Sequence, residues 1–358
     1  MRDILQFKRN QLEEQALQRD QYRIHPELAW LFFEVTSRCN LRCRHCGSSC
    51  TGAGESLTAA DVRKVLETVP DPKPMVCLTG GEPLMHPDFE GIAQTVTDLG
   101  FYWGMTSNAT LIGPEQAQML RRTRMSTVSV SLDGLRDNHD ALRRSAGAWD
   151  KAVAGIRNLQ DAGFDPQVTT VVHRSNQQDL EGLYPILVRM GITSWRVINV
   201  EPIGRACESD DLLLDDDSFR HLMDWIQAKR FDPDCPMEVT YGCSHYLGVR
   251  KERMVRDLYF MCGAGIFVAS VRCNGDICSC LDIENRPELV QGNIHRDDFM
   301  DVWLNRFKVF REDRTQKSRA CSACPDRQIC GGDAAHTWDY AHQEPLLCVK
   351  KILDADPS

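Results

Sequence analysis

The amino-acid sequence predicts an α/β protein: a partial, TIM-like (β/α)6 barrel followed by a small cysteine-rich domain. Between residues 28 and 230, short β-like runs alternate with amphipathic helical stretches, which is typical of a parallel sheet with helices outside. Six such units are fewer than the eight of a complete barrel, so we expect an open one. After about residue 231 the helical periodicity weakens, and cysteine, glycine and short β-like runs take over.

Each unit is recognisable in the sequence. The predicted strands cover residues 28–35, 75–80, 101–108, 126–134, 167–172 and 194–202. The predicted helices cover residues 56–69, 89–100, 114–123, 149–163, 178–191 and 215–230. Thr58 and Asp61 form a potential capping box at the start of the first of these helices. Active sites of parallel barrels lie at the C-terminal ends of the strands, so the loops after the strands are where we expect the chemistry.

The chain divides into three predicted segments. Residues 1–27 are expected to form a polar helical extension, 28–230 the barrel and 231–358 the smaller domain. Within the last, residues 266–280 read as a β-hairpin that turns at Asn274–Gly275, a strong turn signal. We expect this domain to be held by metal rather than by a large apolar core.

Composition and charge limit the classes of function. The chain has 358 residues, 42% of them hydrophobic, which is enough for a sizeable core. Its formal net charge of −9 argues against a nucleic-acid partner, because there is no basic excess to neutralise phosphates. No apolar run approaches the ~20 residues of a membrane-spanning helix, and the N-terminus lacks the apolar centre of a secretory signal. We therefore expect a cytoplasmic protein without a membrane partner.

The sixteen cysteines are informative in such a protein, because cytosolic thiols stay reduced. Isolated cysteines are predicted to be small buried hydrophobic residues, namely Cys77, Cys207 and Cys235. The remaining clusters are too tightly and regularly spaced for that explanation, and they indicate metal ligands.

Cys39, Cys43 and Cys46 form the spacing C-x3-C-x2-C directly after the first predicted strand. Three thiolates can hold three irons of a cubic 4Fe–4S cluster and leave the fourth iron open to a substrate or cofactor. The alternative is a zinc site completed by Cys50, although zinc prefers paired C-x2-C ligands. The motifs that follow favour the cluster.

This spacing after a first barrel strand resembles the radical S-adenosylmethionine (SAM) superfamily. The resemblance extends from about residue 28 to 350 and implies an enzyme that needs 4Fe–4S clusters and SAM. In that superfamily the methionyl amine and carboxylate of SAM bind the open iron, and SAM is cleaved reductively. The 5′-deoxyadenosyl radical that results removes a hydrogen atom from the substrate. The alternative outside enzymes is an iron–sulfur electron carrier, which would have no use for a SAM site.

Further segments resemble the SAM-binding motifs of the superfamily: TGGEP at 79–83, SLDG at 131–134, HDALRR at 139–144 and EPIGRA at 201–206. The resemblance implies SAM contacts for Gly80, Gly81 and Glu82 at the methionyl amine, Ser131 and Asp133 at the ribose, Arg143 at the methionyl carboxylate and Arg205 near the adenine. Asn108 has at most a minor role. His45 departs from the aromatic residue that many relatives carry before the third cysteine, but an imidazole can still pack on adenine.

The C-terminal cysteines resemble the SPASM extension, which holds two auxiliary 4Fe–4S clusters in peptide-modifying members of the superfamily. One auxiliary cluster is assigned to Cys321, Cys324, Cys330 and Cys348. Cys262 and Cys280 are assigned to the other, inner cluster, but Ala334 stands where the pattern has its next cysteine. We expect an inner cluster with an open iron or with a substitute ligand from Cys243, Cys273 or Cys278. The alternative is that no inner cluster forms.

The resemblance favours a maturase of ribosomally made precursor peptides that forms an intrapeptide cross-link of the cyclophane, carbon–carbon or thioether type. Such a reaction removes two electrons, one of which an auxiliary cluster can take. The implied partners are the precursor peptide and a flavodoxin- or ferredoxin-type reductant. Residues 1–27 are too few for a leader-binding winged-helix module, so we expect the leader to bind elsewhere on this chain or through a separate protein.

Two alternatives stay open within this class. A peptide epimerase needs a thiol hydrogen donor, and Cys50, Cys235 and Cys243 are candidates. An enzyme of the anaerobic sulfatase-maturating type has a similar length. A base for cross-linking could come from the second half of the chain, where the candidates are Asp282, Asp333, His336 and Asp339. His336 and Asp339 are equally compatible with ordinary hydrogen-bonded surface positions.

Overall fold

The computed structural model describes residues 2–48, 54–242 and 245–355. Within these residues one ten-stranded sheet dominates. Its parallel body consists of β1 (Trp30–Glu34), β2 (Met75–Thr79), β3 (Trp103–Ser107), β4 (Thr127–Ser131), β5 (Gln167–Val172), β6 (Ser194–Asn199) and β7 (Glu238–Tyr241). Beyond β1 the sheet continues with β8 (Val268–Val271), β9 (Asp276–Cys278) and β10 (Gly292–Asn293), and a separate small sheet pairs β11 (Trp338–Asp339) with β12 (Glu344–Pro345).

Helices cover the outer face of the sheet and connect its strands. In the barrel region they are α1 (Arg2–Ile24), α2 (Ala59–Leu66), α3 (Phe89–Asp98), α4 (Pro114–Arg122), α5 (Arg136–Arg143), α6 (Ala148–Asp161), α7 (Asp179–Arg189) and α8 (Asp216–Arg230). Shorter helices follow, namely α9 (Gly248–Lys251), α10 (Phe299–Asn305), α11 (Lys308–Arg311), α12 (Arg319–Ser322), α13 (Arg327–Cys330) and α14 (Val349–Asp354). Single 3-10 turns lie at Pro83–Met85, Gly204–Glu208, Pro287–Leu289, Arg314–Lys317 and Ala335–Thr337.

All six predicted strands are present, and the sheet is a partial barrel, because β1 and β7 do not pair with each other. The sheet is nevertheless larger than predicted. β7 pairs in parallel with β6, and β8 pairs in parallel with β1. Four-residue strands such as β7 give too short a pattern to be recognised from alternation alone. The capping box of Thr58 and Asp61 and the hairpin turn at Asn274–Gly275 are both confirmed.

The two faces of the parallel strands differ in solvent access. On β2, Val76 and Leu78 are fully buried under helices, whereas Cys77 and Thr79 are partly accessible from the inner side of the barrel. The same alternation runs along β6, where Trp195 and Val197 are fully buried and Ser194, Arg196 and Ile198 are only partly buried. The inner side of the curved sheet, called the lumen below, is therefore a solvent-accessible space rather than a packed core.

The C-terminal region shares the main hydrophobic core, which differs from our expectation. Phe299, Trp303 and Phe307 are almost completely buried in the same core as the barrel residues. α1 also packs on this region, since Arg9 pairs with Asp326 at 2.8 Å. Metal binding is therefore not the only source of stability of the C-terminal region. No helix among residues 2–48, 54–242 and 245–355 is long and apolar enough to cross a bilayer.

Candidate active site

The loop after β1 carries Cys39, Cys43 and Cys46 and lies against the ends of the neighbouring strands. Arg205 fixes it from the end of β6, because its backbone amide donates to the Cys46 carbonyl at 3.1 Å and its Nε to the Cys43 carbonyl at 2.8 Å. This contact of Arg205 was not expected from the sequence. Cys50 follows in a stretch that lies outside the described residues, as does Cys243.

Gly80 and Gly81 allow the segment after β2 to touch the cysteine loop. The Gly81 amide donates to the Thr36 carbonyl at 2.8 Å, and the Glu82 amide donates to the Arg38 carbonyl at 2.8 Å. A methyl group on Gly81 would collide with the Arg38 carbonyl oxygen and lie 2.8 Å from the Cys39 Cβ. The glycine pair thus sets the position of the first cysteine through close backbone contact.

We expect Gly81→Ala to displace the cysteine loop and to lower SAM cleavage by roughly 100-fold, the scale that a misplacement of about 1 Å can cost. The readout is 5′-deoxyadenosine released per cluster-loaded chain. Gly182→Ala is the matched control, because Gly182 lies within α7 and the nearest atom to its added methyl would be the end of the Leu135 side chain, at 3.1 Å. Unchanged cleavage by Gly81→Ala would contradict the role of this contact.

Glu82 is buried at the same edge of the sheet. Its carboxylate accepts hydrogen bonds from the Ser107 hydroxyl at 2.8 Å and the Asn108 backbone amide at 2.9 Å, and it is 1% exposed. Burial raises the pKa of Glu82 above its usual value. Asn108 therefore contributes to the site through its backbone, consistent with a minor role for its side chain.

Asp133 and Arg143 form a buried ion pair next to the second cysteine. Arg143 Nε and Nη2 lie 2.9 and 2.7 Å from Asp133 Oδ2, and Arg143 Nη1 donates to Cys43 Sγ at 3.7 Å. The other oxygen, Asp133 Oδ1, accepts from the Val171 backbone amide at 3.0 Å. Although burial opposes ionisation, Arg143 keeps the pKa of Asp133 well below its usual range. Both Asp133 oxygens thus have protein partners, while Ser131 stays half-buried at the end of β4.

The surroundings of the loop fit a cluster and its ligand. Burial raises the pKa of Cys39 to about 11 and also raises that of Cys43, so these thiols need a cationic partner to bind as thiolates. Burial lowers the pKa of His45 to about 4, which makes it neutral at physiological pH. Its Nδ1 is buried and has no hydrogen-bond partner within the described part of the chain. A bound polar ligand would supply that partner.

The four cysteines assigned to one auxiliary cluster line a single cavity. Its walls include Cys321, Cys324, Cys330 and Cys348. Their sequence positions are up to 27 apart, 348 minus 321, so the fold and not the local spacing alone brings Cys348 to the other three.

Ala334 lies in a segment that contacts Cys262. The backbone amide of Ala335 donates to Cys262 Sγ at 3.3 Å, and Ala334 itself is 1% exposed. Of the candidate substitutes, Cys273 lies beside Glu34, whose Oε2 accepts its backbone amide at 3.3 Å. Cys278 is buried close to Arg272.

A buried chain of acidic and imidazole groups links this region to the end of β6. Glu201 Oε2 lies 2.5 Å from His336 Nε2, and its Oε1 lies 3.2 Å from His245 Nε2. His245 Nδ1 is in turn 3.0 Å from Asp333 Oδ2. A role for Glu201 and His245 was not expected from the sequence, since no local pattern connects positions so far apart in the chain.

The protonation of this chain bears on the candidate bases. Burial opposes the charge of His336, but Glu201 raises its pKa to about 9, which favours the protonated imidazole. Asp333 is held by His245 and by the Tyr246 backbone amide. Asp339 pairs with the exposed His342 at the surface, and Asp282 is exposed near Gly47.

The same groups predict a pH dependence of stability. Burial opposes the charge of His245, but Asp333 and Glu201 raise its pKa from 6.5 to about 10. The folded-state pKa is the higher one, so this contribution is complete below about pH 6.5 and is lost as the pH rises through about 10. We expect the Tm to fall between pH 7 and 10, and to fall less in His245→Gln. The control His342→Gln, which alters an exposed pair, should keep the wild-type profile; equal slopes in all three would contradict this.

Comparison with known proteins agrees with this arrangement. Residues 33–184 match the model of the radical SAM superfamily, and residues 262–325 match the SPASM iron–sulfur cluster-binding domain. The chain is 29% identical over 347 residues to an AdoMet-dependent heme synthase of Nitratidesulfovibrio vulgaris, covering 90% of this chain and 92% of the relative. It is 30% identical over 311 residues to the mycofactocin maturase MftC of Mycolicibacterium smegmatis, covering 84% and 76%.

Solved structures share the fold at low sequence identity. Streptococcus suis SuiB bound to its precursor peptide SuiA superposes with a TM-score of 0.75 at 18% identity, covering 94% of this chain and 78% of SuiB. The enzyme anSMEcpe with bound AdoMet and a peptide superposes with a TM-score of 0.69 at 16% identity, covering 88% and 90%.

Proposed function

The chain belongs to the radical SAM superfamily and carries a SPASM domain, and from that premise we propose that it is a maturase that cross-links a ribosomally made peptide. Family membership makes it an enzyme that uses 4Fe–4S clusters and SAM. The observation that carries the proposal is the cysteine loop placed beside Glu82 and Arg143 at the edge of an accessible lumen. The 30% identity of this chain to a protein named a maturase supports the same class of reaction.

The residues around the loop have distinct proposed roles. Cys39, Cys43 and Cys46 hold three irons of the first cluster, Glu82 accepts the methionyl amine of SAM, and Arg143 binds its carboxylate. When bound, the cluster and SAM supply the 5′-deoxyadenosyl group that removes a hydrogen atom from the substrate. Asp133 positions Arg143, and Arg205 holds the loop through the two carbonyls that it contacts. Gly80 and Gly81 let the segment after β2 approach the cysteine loop and the methionyl amine closely, and Ser131 contacts the ribose of SAM.

Peptide cross-linking has a direct test. Anaerobically purified, cluster-loaded protein is incubated with SAM, dithionite and a small peptide encoded beside its gene. Release of 5′-deoxyadenosine together with a peptide that is lighter by about two mass units, one hydrogen molecule, supports cross-linking. A peptide whose mass is unchanged in ordinary water, but which gains deuterium when the reaction is run in heavy water, would support the epimerase alternative. The reaction is run with dithionite and, in parallel, with a flavodoxin or ferredoxin as reductant. Release of no 5′-deoxyadenosine with any of them would contradict the enzyme proposal.

A second candidate substrate is a carboxylate-bearing tetrapyrrole. The chain covers 92% of the length of the heme synthase relative but 76% of the length of MftC, and this difference favours the second candidate. The same assay with an iron porphyrin in place of the peptide distinguishes the two candidates by which compound changes in mass.

A further inference from the structure

The cationic side chain of Arg196 lies at mid-height of the lumen. Arg196 lies on β6 between Trp195 and Val197, which are both fully buried towards the helices, so its side chain faces the inner side of the barrel. It is only partly buried there. Gly242, the residue after β7, lies beside it: a Cβ there would be 3.8 Å from the Arg196 Cδ and would collide with the Cγ2 of Ile198, the next residue of β6 on the same face.

The guanidinium of Arg196 has little to neutralise it. Its Nε donates to Thr169 Oγ1 at 3.3 Å, and Thr169 Oγ1 is 2.8 Å from Ser129 Oγ. No carboxylate of residues 2–48, 54–242 and 245–355 lies within 4.0 Å of it. The thiol of Cys77 is close enough to sense its charge, but burial raises the pKa of Cys77 to about 12, so this thiol stays neutral. Two hydroxyl groups and an uncompensated cation thus face the same space.

The position of this group relative to the cysteine loop is set by β5. Val171 donates its amide to Asp133 Oδ1, and Thr169 precedes it by two residues on the same strand. Two residues of a parallel strand span roughly 6.6 Å. The Arg196–Thr169 pair therefore lies one layer of side chains below the Asp133–Arg143 pair. A substrate whose reacting atom lies at the SAM site would therefore place a charged group, a few bonds from that atom, at the level of Arg196.

The arginine side chain is well suited to binding a carboxylate. Its planar guanidinium offers parallel donors that match the two oxygens of a carboxylate. One hydroxyl of the Thr169–Ser129 pair can donate as well, because the other donates within their mutual hydrogen bond. We infer that Arg196, Thr169 and Ser129 form a subsite that binds a carboxylate of the substrate. This inference rests on the proposed function, in that the substrate enters the lumen, and it specifies that the substrate is a carboxylate-bearing molecule held below the SAM site.

A binding cycle tests the subsite without turnover. Cluster-loaded protein with SAM but no reductant is titrated with the peptide encoded beside the gene in three forms: unchanged, amidated at its C-terminus, and with Asp and Glu replaced by Asn and Gln. We expect Arg196→Gln to weaken binding of the unchanged peptide by about 10- to 100-fold, the scale of a charged hydrogen bond. Arg196→Lys should recover part of this loss, because it keeps the charge but not the paired donors. Arg157→Gln, on the exposed side of α6, is the control and should bind like the wild type.

The altered peptides identify the carboxylate. If the C-terminal group is bound, the amidated peptide should bind the wild type and Arg196→Gln equally; if a side chain is bound, the Asn/Gln peptide should do so. Weakening of all three peptides by the same factor in Arg196→Gln overturns the inference.

Failure of the proposed function gives a different result. A peptide that does not bind the wild type argues against a peptide substrate, and the cycle is then repeated with deuteroporphyrin IX and its dimethyl ester. Loss of discrimination between acid and ester in Arg196→Gln supports the subsite with the second candidate substrate. Equal discrimination in wild type and variant, or no binding of either probe, overturns it. Release of 5′-deoxyadenosine by Arg196→Gln with dithionite shows that the SAM site is intact.

Discussion

Replacing Cys39, Cys43 and Cys46 together by alanine is expected to remove about four irons per chain and to abolish release of 5′-deoxyadenosine. The physical reason is that, in our assignment, these thiols are the protein ligands that hold the first cluster beside Glu82 and Arg143. The measurement is iron and sulfide content of anaerobically reconstituted protein, followed by incubation with SAM and dithionite. The auxiliary cluster assigned to Cys321, Cys324, Cys330 and Cys348 should survive, because these cysteines line a separate cavity in the C-terminal region.

Cys207→Ala is the control for this triple variant. Its thiol is exposed, so the prediction that Cys207 is a small buried residue is wrong. Within the described part of the chain its hydrogen-bond partner is the Pro202 carbonyl, so iron content and SAM cleavage should stay at the wild-type level. Retention of all iron by the triple variant would contradict the assignment. The wild-type count also tests the inner cluster: about twelve irons indicate two auxiliary clusters and about eight indicate one.

The repeating part of the fold was predictable because its signals are local. Alternating strands and amphipathic helices, and a glycine pair at the end of β2, are patterns within 5 to 15 residues of sequence. The position of the cysteine loop followed from the parallel arrangement, since the loop after β1 must lie at the same edge as those after β2 and β4.

What the sequence missed depends on contacts between distant segments. Asp133 and Arg143 were assigned separate SAM contacts, whereas in the structure the carboxylate holds the guanidinium. Glu201 meets His245 and His336 only because β6 ends next to the C-terminal region. Arg196 occupies an ordinary alternating position, and its lack of a counterion becomes visible only once the neighbouring strands are in place.

Arg143→Met is expected to destabilise the protein and to abolish SAM binding. It would leave Asp133, which is 0% exposed, without its cationic partner. Removing one member of a buried ion pair costs about 3–5 kcal/mol, which for a chain of this length is roughly 4–7 °C in Tm. The measurements are the Tm of cluster-loaded protein and equilibrium binding of SAM. Arg136→Ala on the same helix is the control, since Arg136 and Asp150 are each more than half exposed and such pairs contribute little.

A double variant separates the two roles of Arg143. Asp133→Asn combined with Arg143→Met removes both charges, so most of the lost Tm should return, because the cost lies in the unpaired carboxylate rather than in the absent pair. SAM binding should not return, since no guanidinium is left for the methionyl carboxylate. Recovery of SAM binding in the double variant would show that Arg143 acts only by neutralising Asp133. A Tm that stays low would show instead that the methionine does not fit the site.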